Sequence, residues 1–222
     1  MTDATSAPLS GSATPPDATP HWEVPAVGVG PHPLPWPPGP QWDPELLAEG
    51  DRRNVEDRFR YLTVDAIVAI LDTERSPLHV AVENWQHDLN IGSIVRTANA
   101  FNVAGVHIVG KRDWNKRGAM VTNRYVHMHH HAGIADFAEW ARAAQVPIIG
   151  VDNIPGCVPI ERTELPARCV LFFGQEGPGL SEAASEVCAQ IVAITQYGST
   201  RSLNASAAGA IAMFAWALQH RR

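Results

Sequence analysis

Cysteine is scarce in this 222-residue sequence: Cys157, Cys169 and Cys188 are an odd number with no C-x-x-C spacing. That argues against a disulfide framework or a cysteine-built zinc site and leaves buried free thiols in a reducing compartment as the expectation. No apolar run approaches the ~18 residues a membrane span requires, so no membrane association is expected. The opening stretch MTDATSAPLSGSATPP has neither the basic nor the apolar region of a secretory signal, and a cytoplasmic location is expected. H-E-x-x-H does not occur, and no metal is expected. Lysine and arginine are missing from residues 1–50, where six of the 23 acids lie. The net charge of −6 therefore belongs to that segment, because the remaining acids and all 17 bases balance over residues 51–222. The acidic total does not argue against an anionic partner for the rest of the chain.

What the first fifty residues do contain is proline, 12 of the 18 in the sequence, including PHPLPWPPGP at 31–40. Such a segment lacks backbone donors and favours polyproline II, so residues 1–50 are expected to be a disordered acidic tail. Trp22, Trp36 and Trp42 keep open a second reading, a docking segment. Residues 51–77 read as a helical extension, with a charged helix over 54–61 and a second helix capped by Thr63 that gathers Val64, Ile67, Val68 and Leu71 on one face. From residue 78 to 222 strand-like and helix-like runs alternate. Strands are expected at 79–84, 106–110, 147–153, 168–173 and 191–194, and helices at 91–101, 134–144, 182–188 and 203–220. This alternation implies an α/β domain, a mostly parallel sheet with helices on both faces.

Ligands of such sheets sit beyond the carboxyl ends of the strands. Those ends carry NWQHDLNIGSIVRTANAF with Asn90 and Arg96, then NIPG, then GQEGPGL with Glu176, then TQYGSTRSLNAS with Ser202 and Asn204. Asn90, Ser202 and Asn204 read equally as helix caps, and Arg96 as a structural ion-pair residue. Glu176 is harder to assign to structure, since a carboxylate in a glycine-rich loop gains nothing from burial. Neither G-x-x-x-x-G-K-[ST] nor a properly spaced G-x-G-x-x-G is present, and a carboxylate would repel a phosphate. Gly174, Gly177 and Gly179 suit positive φ or close approach of a ligand.

NIGSIVRTANAFNVAGVHIVG (90–110), LFFGQEGPGLS (171–181) and ITQYGSTRSLNASAAGAIAMFAW (194–216) resemble, in order and spacing, the three motifs of the SpoU/TrmH family of the SPOUT superfamily. The resemblance implies an S-adenosylmethionine-dependent RNA 2′-O-methyltransferase acting on tRNA or rRNA. It also implies a C-terminal deep trefoil knot and a homodimer whose subunits complete the site together. By the same resemblance Asn90, Arg96, Glu176, Ser202 and Asn204 are the catalytic set. Val151, Gly174, Ile194 and Leu203 are the cofactor contacts, and Glu176 orients Arg96 or the knot backbone. Three positions depart from the family pattern: Thr195-Gln196 stand where Pro-Met is usual after Ile194, Asn102 where glycine is usual, and Ala205 where valine is usual.

Lys111, Arg112, Lys116, Arg117 and Arg124 crowd into 14 residues around Trp114, a composition suited to phosphate contact and base stacking, and are the expected RNA surface. In VHMHHH, His127, His129, His130 and His131 read as a surface cluster. Two other functions compete: an RNA-binding assembly factor that keeps the fold without catalysis, disfavoured by the complete polar set, and a nicotinamide oxidoreductase, disfavoured by the missing glycine fingerprint after the first strand.

Overall fold

The computed structural model of the protein describes residues 28–85 and 90–221. Two compact units emerge, one from the described residues up to Trp36 with Pro44–Tyr61, the other from Pro37–Asp43 and the chain from Leu62 onward. Trp22 and the rest of residues 1–27 lie outside the described residues.

The smaller unit is organised by one buried acid. Asp51 is fully buried and accepts from Arg53 N at 2.9 Å, Arg53 Nε at 2.9 Å, Arg53 Nη2 at 2.6 Å and Tyr61 N at 3.0 Å. Burial pushes its carboxyl upward, but the Arg53 side chain and the two backbone amides outweigh that and hold it down at about 2. The Asp51 backbone also exchanges both hydrogen bonds with Val29 at 2.9 Å. Tyr61 Oη donates to Gly30 O at 2.6 Å. Within the proline-rich segment, α1 (Pro44–Glu49) forms and buries Leu47. The helix expected over 54–61 does not form: only Asp57–Phe59 makes a 3-10 turn, and Tyr61 has φ 62°. Tyr61 N is committed to Asp51, and Phe59 N and Arg60 N close shorter i→i−3 bonds to Glu56 O and Asp57 O instead of an i→i−4 ladder.

In the larger unit, α2 (Val64–Asp72) starts at Thr63, whose hydroxyl accepts from Ala66 N at 3.2 Å. Seven strands follow: β1 (Ser76–Asn84), β2 (Val103–Gly110), β3 (Met128–His131), β4 (Ile148–Val151), β5 (Val158–Pro159), β6 (Val170–Phe173) and β7 (Gln190–Ala193). They form one sheet in the order β3-β2-β1-β6-β4-β7-β5, all pairs parallel. Side chains alternate between its faces. Leu78, Val80, Val82, Leu171 and Phe173 pack with α3 (Asn90–Ala100) and α6 (Ala205–His220). Ala81, Val170 and Phe172 pack with α4 (Ile134–Ala144) and α5 (Glu182–Glu186) on the other face. Both faces are covered, which is why these strands read as unbroken apolar runs.

Two strands were not expected, β3 and the two-residue β5. VHMHHH is a strand because it pairs in parallel with β2, setting His129 opposite His107 and His131 opposite Val109. Asn102 is explained by its backbone: φ is 45°, the left-handed region where glycine is easiest and asparagine tolerable. Its side chain is used as well, Nδ2 donating to Leu71 O at 3.2 Å and Oδ1 accepting from Arg75 Nη1 at 3.0 Å. Among the described residues no helix is long and apolar enough to cross a membrane.

Candidate active site

The loops leaving β4, β6 and β7 converge on one cleft of about 560 Å³, within the range of small-molecule sites. Val151, Asp152, Asn153 and Ile154 line it from β4, Phe173 through Gly179 from β6, and Ile194, Gln196 and Arg201–Ala205 from β7. Val151, Gly174, Ile194 and Leu203 are thus on one cleft, as are Glu176, Ser202 and Asn204.

The glycine loop is folded against itself. Gln175 and Gly179 exchange both backbone hydrogen bonds at 3.0 Å, and a Cβ on Gly174 would fall 2.0 Å from Gly179 C and 2.1 Å from Leu180 N. Gly174 is therefore required by the loop's own backbone. Gly179 has φ +75°, and a Cβ there would meet the Asp152 carboxylate at 2.3 Å. Asp152, a residue the sequence did not single out, pins the loop by accepting from Leu180 N at 2.7 Å. At the foot of the loop the fully buried Glu83 accepts from Ser181 N and Oγ, each at 2.8 Å, and from Trp85 Nε1 at 2.9 Å. Asn153 Nδ2 donates to Arg201 O at 3.2 Å and ties the β4 loop to the β7 loop.

Glu176, Asn90 and Asn204 form a polar relay whose direction follows from its ends. Asn204 caps α6, its Oδ1 accepting from Ser206 N at 3.0 Å, Ala207 N at 3.3 Å and Ser206 Oγ at 2.6 Å. Its Nδ2 is left to donate, and does so to Asn90 Oδ1 at 2.8 Å. That turns Asn90 Nδ2 toward Glu176 Oε2, at 2.5 Å. An acceptor-only group must end such a chain, and a carboxylate is one. Asn204 is consequently both a cap and a residue of the cleft lining. Asn90 is 8% exposed and opens α3.

Arg96 is not joined to this relay. It is exposed on α3, does not line the cleft and has no ion pair among the described residues. The expected orienting contact from Glu176 to Arg96 is replaced by Glu176–Asn90, because the loop of β6 meets the first turn of α3 while Arg96 lies in its second.

The five cations Lys111, Arg112, Lys116, Arg117 and Arg124 are all exposed. Trp114 is only half-exposed and packs against the core. Met120 and Val121, between Arg117 and Arg124, are 59% and 53% exposed and hold φ of 46° and 68°. This loop abuts α3 closely: a Cβ on Gly92 would meet Ala119 N at 2.8 Å and Asn115 O at 2.9 Å.

The histidines form a stack on the α4 face. His107 is fully buried; its Nε2 lies 3.1 Å from His79 Nδ1 and its Nδ1 2.9 Å from His131 Nε2. Trp140 and His129 lie against its ring at 3.9 and 4.7 Å between centroids. Burial, then the neighbouring histidines, hold His107 down at about 2; burial, then His129 and Arg168, hold His79 at about 4. Burial lowers His129 and His131 too. His131, half-buried, is therefore a structural partner of His107, which the local sequence could not show, whereas His127, His129 and His130 are exposed as a surface cluster would be, His129 also stacking on His107. Among the described residues no group of His, Cys, Asp or Glu is arranged to hold a metal.

Cleft and sheet together define the chain as an α/β protein with a cleft of small-molecule size at the carboxyl ends of parallel strands. The lineage is narrower than that. The profile of the SpoU rRNA Methylase family matches residues 77–214, and the chain belongs to that family. An "uncharacterized tRNA/rRNA methyltransferase" of Mycolicibacterium smegmatis is 32% identical over 176 residues, covering 73% of this chain and 54% of the relative. The chain thus spans about half the length of the curated relatives it matches. Among solved structures, the A. aeolicus TrmH/SpoU tRNA modifying enzyme superposes with a TM-score of 0.62 at 21% identity, covering 70% of this chain and 81% of its own. An AdoMet-bound rRNA methyltransferase from Sinorhizobium meliloti superposes with a TM-score of 0.58 at 26% identity, covering 64% and 56%.

Proposed function

We propose that the chain is an S-adenosylmethionine-dependent RNA methyltransferase that modifies a ribose 2′-hydroxyl of tRNA or rRNA. The observation that carries this is the single cleft lined by Val151, Gly174, Ile194 and Leu203 together with Glu176, Ser202 and Asn204, in a chain of the SpoU family. The cleft fits the cofactor in size, and two buried amide oxygens without a donor among the described residues, Gln175 Oε1 and Gln196 Oε1, belong to residues that line it. Bound there, S-adenosylmethionine supplies a methyl group on an electrophilic sulfonium. Val151, Ile194 and Leu203 provide apolar walls, and the loop closed by Gly174 shapes the pocket.

The chain's own residues would position the acceptor. Ser202, exposed on the cleft, offers a hydroxyl to the ribose. Asn204, with both ends of its amide engaged, acts through Asn90 to hold Glu176. Arg96 is a permanent cation, suited to grip the phosphate beside the target ribose and to stabilise negative charge developing on the 2′-oxygen. Holding the reactants in line is a large part of the acceleration asked of such a site. Lys111, Arg112, Lys116, Arg117 and Arg124 supply phosphate contacts. With Trp114 half-covered, Met120 and Val121 join it as the apolar contacts of that surface.

The proposal includes a homodimer and a trefoil knot. Helix α6 is apolar on two sides, burying Gly209, Ala212, Met213 and Trp216 while exposing Ile211, Phe214 and Leu218. A helix apolar all round is one covered all round, and a second copy covers it here. The dimer also gives Arg96, exposed and away from its own cleft, a site to complete. The knot is supported by the β7 loop, which returns α6 against α3 and joins Asn204 to Asn90 across 114 positions.

The test is incubation with tritiated S-adenosylmethionine and unmodified tRNA and rRNA, with Arg96→Ala as control. Label recovered as a 2′-O-methylated nucleoside and lost in the control is expected. RNA binding without any methyl transfer would replace the proposal with the non-catalytic assembly factor.

A further inference from the structure

The amide of Gln196 is only half engaged. Its Nε2 donates to Arg201 O at 3.4 Å, while its Oε1 is buried and has no hydrogen-bond partner among the described residues. Only the –NH₂ end of an amide can donate to a carbonyl, so the contact to Arg201 fixes which end is the oxygen. A buried acceptor without a donor is rare in a folded protein and is normally answered by a ligand, an ion or water. Gln196 lines the cleft beside Ile194 and Leu203. The adjacent departure from the family motif behaves differently: Thr195 is exposed, and its hydroxyl donates to the Glu161 carboxylate. Of the pair that replaces Pro-Met, only Gln196 lines the pocket.

The chemistry of the donor follows from the surroundings. The same cleft holds the carboxylates of Asp152 and Glu176, and a cationic ligand group would favour those. A neutral amide oxygen on a residue that lines the cleft together with Ile194 and Leu203 suits a neutral N–H on a flat, otherwise apolar group. An amide oxygen accepting from the exocyclic amine of adenine is a recurrent pairing of this kind. We propose that Gln196 reads the base of the cofactor, accepting a hydrogen bond from the 6-amino group of its adenine, and so adds a specificity contact that methionine at this position would lack. The inference rests on the cofactor reading above.

Calorimetric titration of the full chain tests it, with S-adenosylhomocysteine and its 6-deamino purine analogue as ligands and wild type, Gln196→Met and Gln196→Leu as proteins. Wild type is expected to bind the adenine ligand about tenfold more tightly than the deamino ligand, the scale of one hydrogen bond whose loss leaves a buried acceptor unpaired. Both variants are expected to bind the two ligands with equal affinity. Equal binding by wild type overturns the proposal whether or not the variants fold. Undiminished discrimination in either variant overturns it as well, by assigning the base contact elsewhere. Binding of neither ligand by wild type removes the cofactor reading itself, an outcome distinct from equal binding of both.

Discussion

Acidification should unfold this protein in a window set by the histidine stack. His79 and His107 are held near 4 and 2 in the folded chain, against about 6.5 when unfolded. The folded state therefore binds fewer protons than the unfolded one below about pH 6.5, and stability present above that value is lost as the pH falls toward 4. The loss reaches about 1.4 kcal/mol per pH unit for a buried group, so moving from pH 7 to pH 5 removes about 2 kcal/mol at His107 and less at the partly exposed His79, where solvent screens the effect, about 3 kcal/mol for the two. His129 and His131, also lowered, act in the same direction. Against the ~5–15 kcal/mol typical of a folded domain, that is a substantial share. Asp51, held at about 2, loses its contribution only below the ordinary carboxylate range and leaves this window clean. Urea unfolding followed by circular dichroism at pH 7, 6 and 5 measures the effect, and His107→Phe, which keeps an aromatic ring in the stack, should reduce the pH dependence by about half. A stability that changes by less than about 1 kcal/mol between pH 7 and pH 5, or an unchanged slope in the variant, would refute the assignment.

Three further outcomes follow from the cleft and its surroundings. Gly174→Ala places a methyl group 2.0–2.2 Å from the Gly179 and Leu180 backbone; the loop must open, at a cost of ~1–3 kcal/mol or more, and calorimetry should show cofactor affinity reduced by more than about tenfold. Asn90→Ala leaves Glu176 and Asn204 Nδ2 without their shared partner and should cost about 1–3 kcal/mol in a thermal or urea unfolding curve, with a fall in methyl transfer; an unchanged rate would remove the relay from the mechanism. Phe214→Glu puts a charge on the outer face of α6, where the ring is 54% exposed. Sedimentation should then show the dimer shifted toward monomer with folding intact, whereas a monomeric wild type would leave that face unexplained by self-association.

Much of the larger unit is legible in the chain itself. Alternation of apolar runs with amphipathic stretches implies a parallel sheet covered on both faces. Local chemistry marks Thr63 as a cap and Ile134–Ala144 as a helix, because caps and helix faces are set by neighbours three or four positions away. The cleft is legible as well, since its walls are the polar and glycine residues placed after apolar strands. Less could be read where a partner far along the chain decides. Residues 54–61 have a helical pattern, yet the buried Asp51 draws their backbone into turns. In VHMHHH three of the four histidines are exposed, as composition suggests, yet pairing with β2 makes Met128–His131 a strand and brings His131 into contact with His107.

Glu176 shows where the division falls. Its type and its place in a glycine loop suffice to single it out as a candidate, which the structure sets on the cleft, and both are properties of the sequence. Its partner is not, because Arg96 and Asn90 are six positions apart on one helix and only the crossing of the β6 loop over the first turn of α3 selects Asn90. The buried oxygen of Gln196 has the same origin: a glutamine in a loop is ordinary until folding removes its water and supplies a partner to only the –NH₂ end of its amide. Composition, capping and periodicity act over a few residues and are determined by the sequence alone. Desolvation and hydrogen-bond partnership act between segments brought together by the sheet, and those were decided by the tertiary structure.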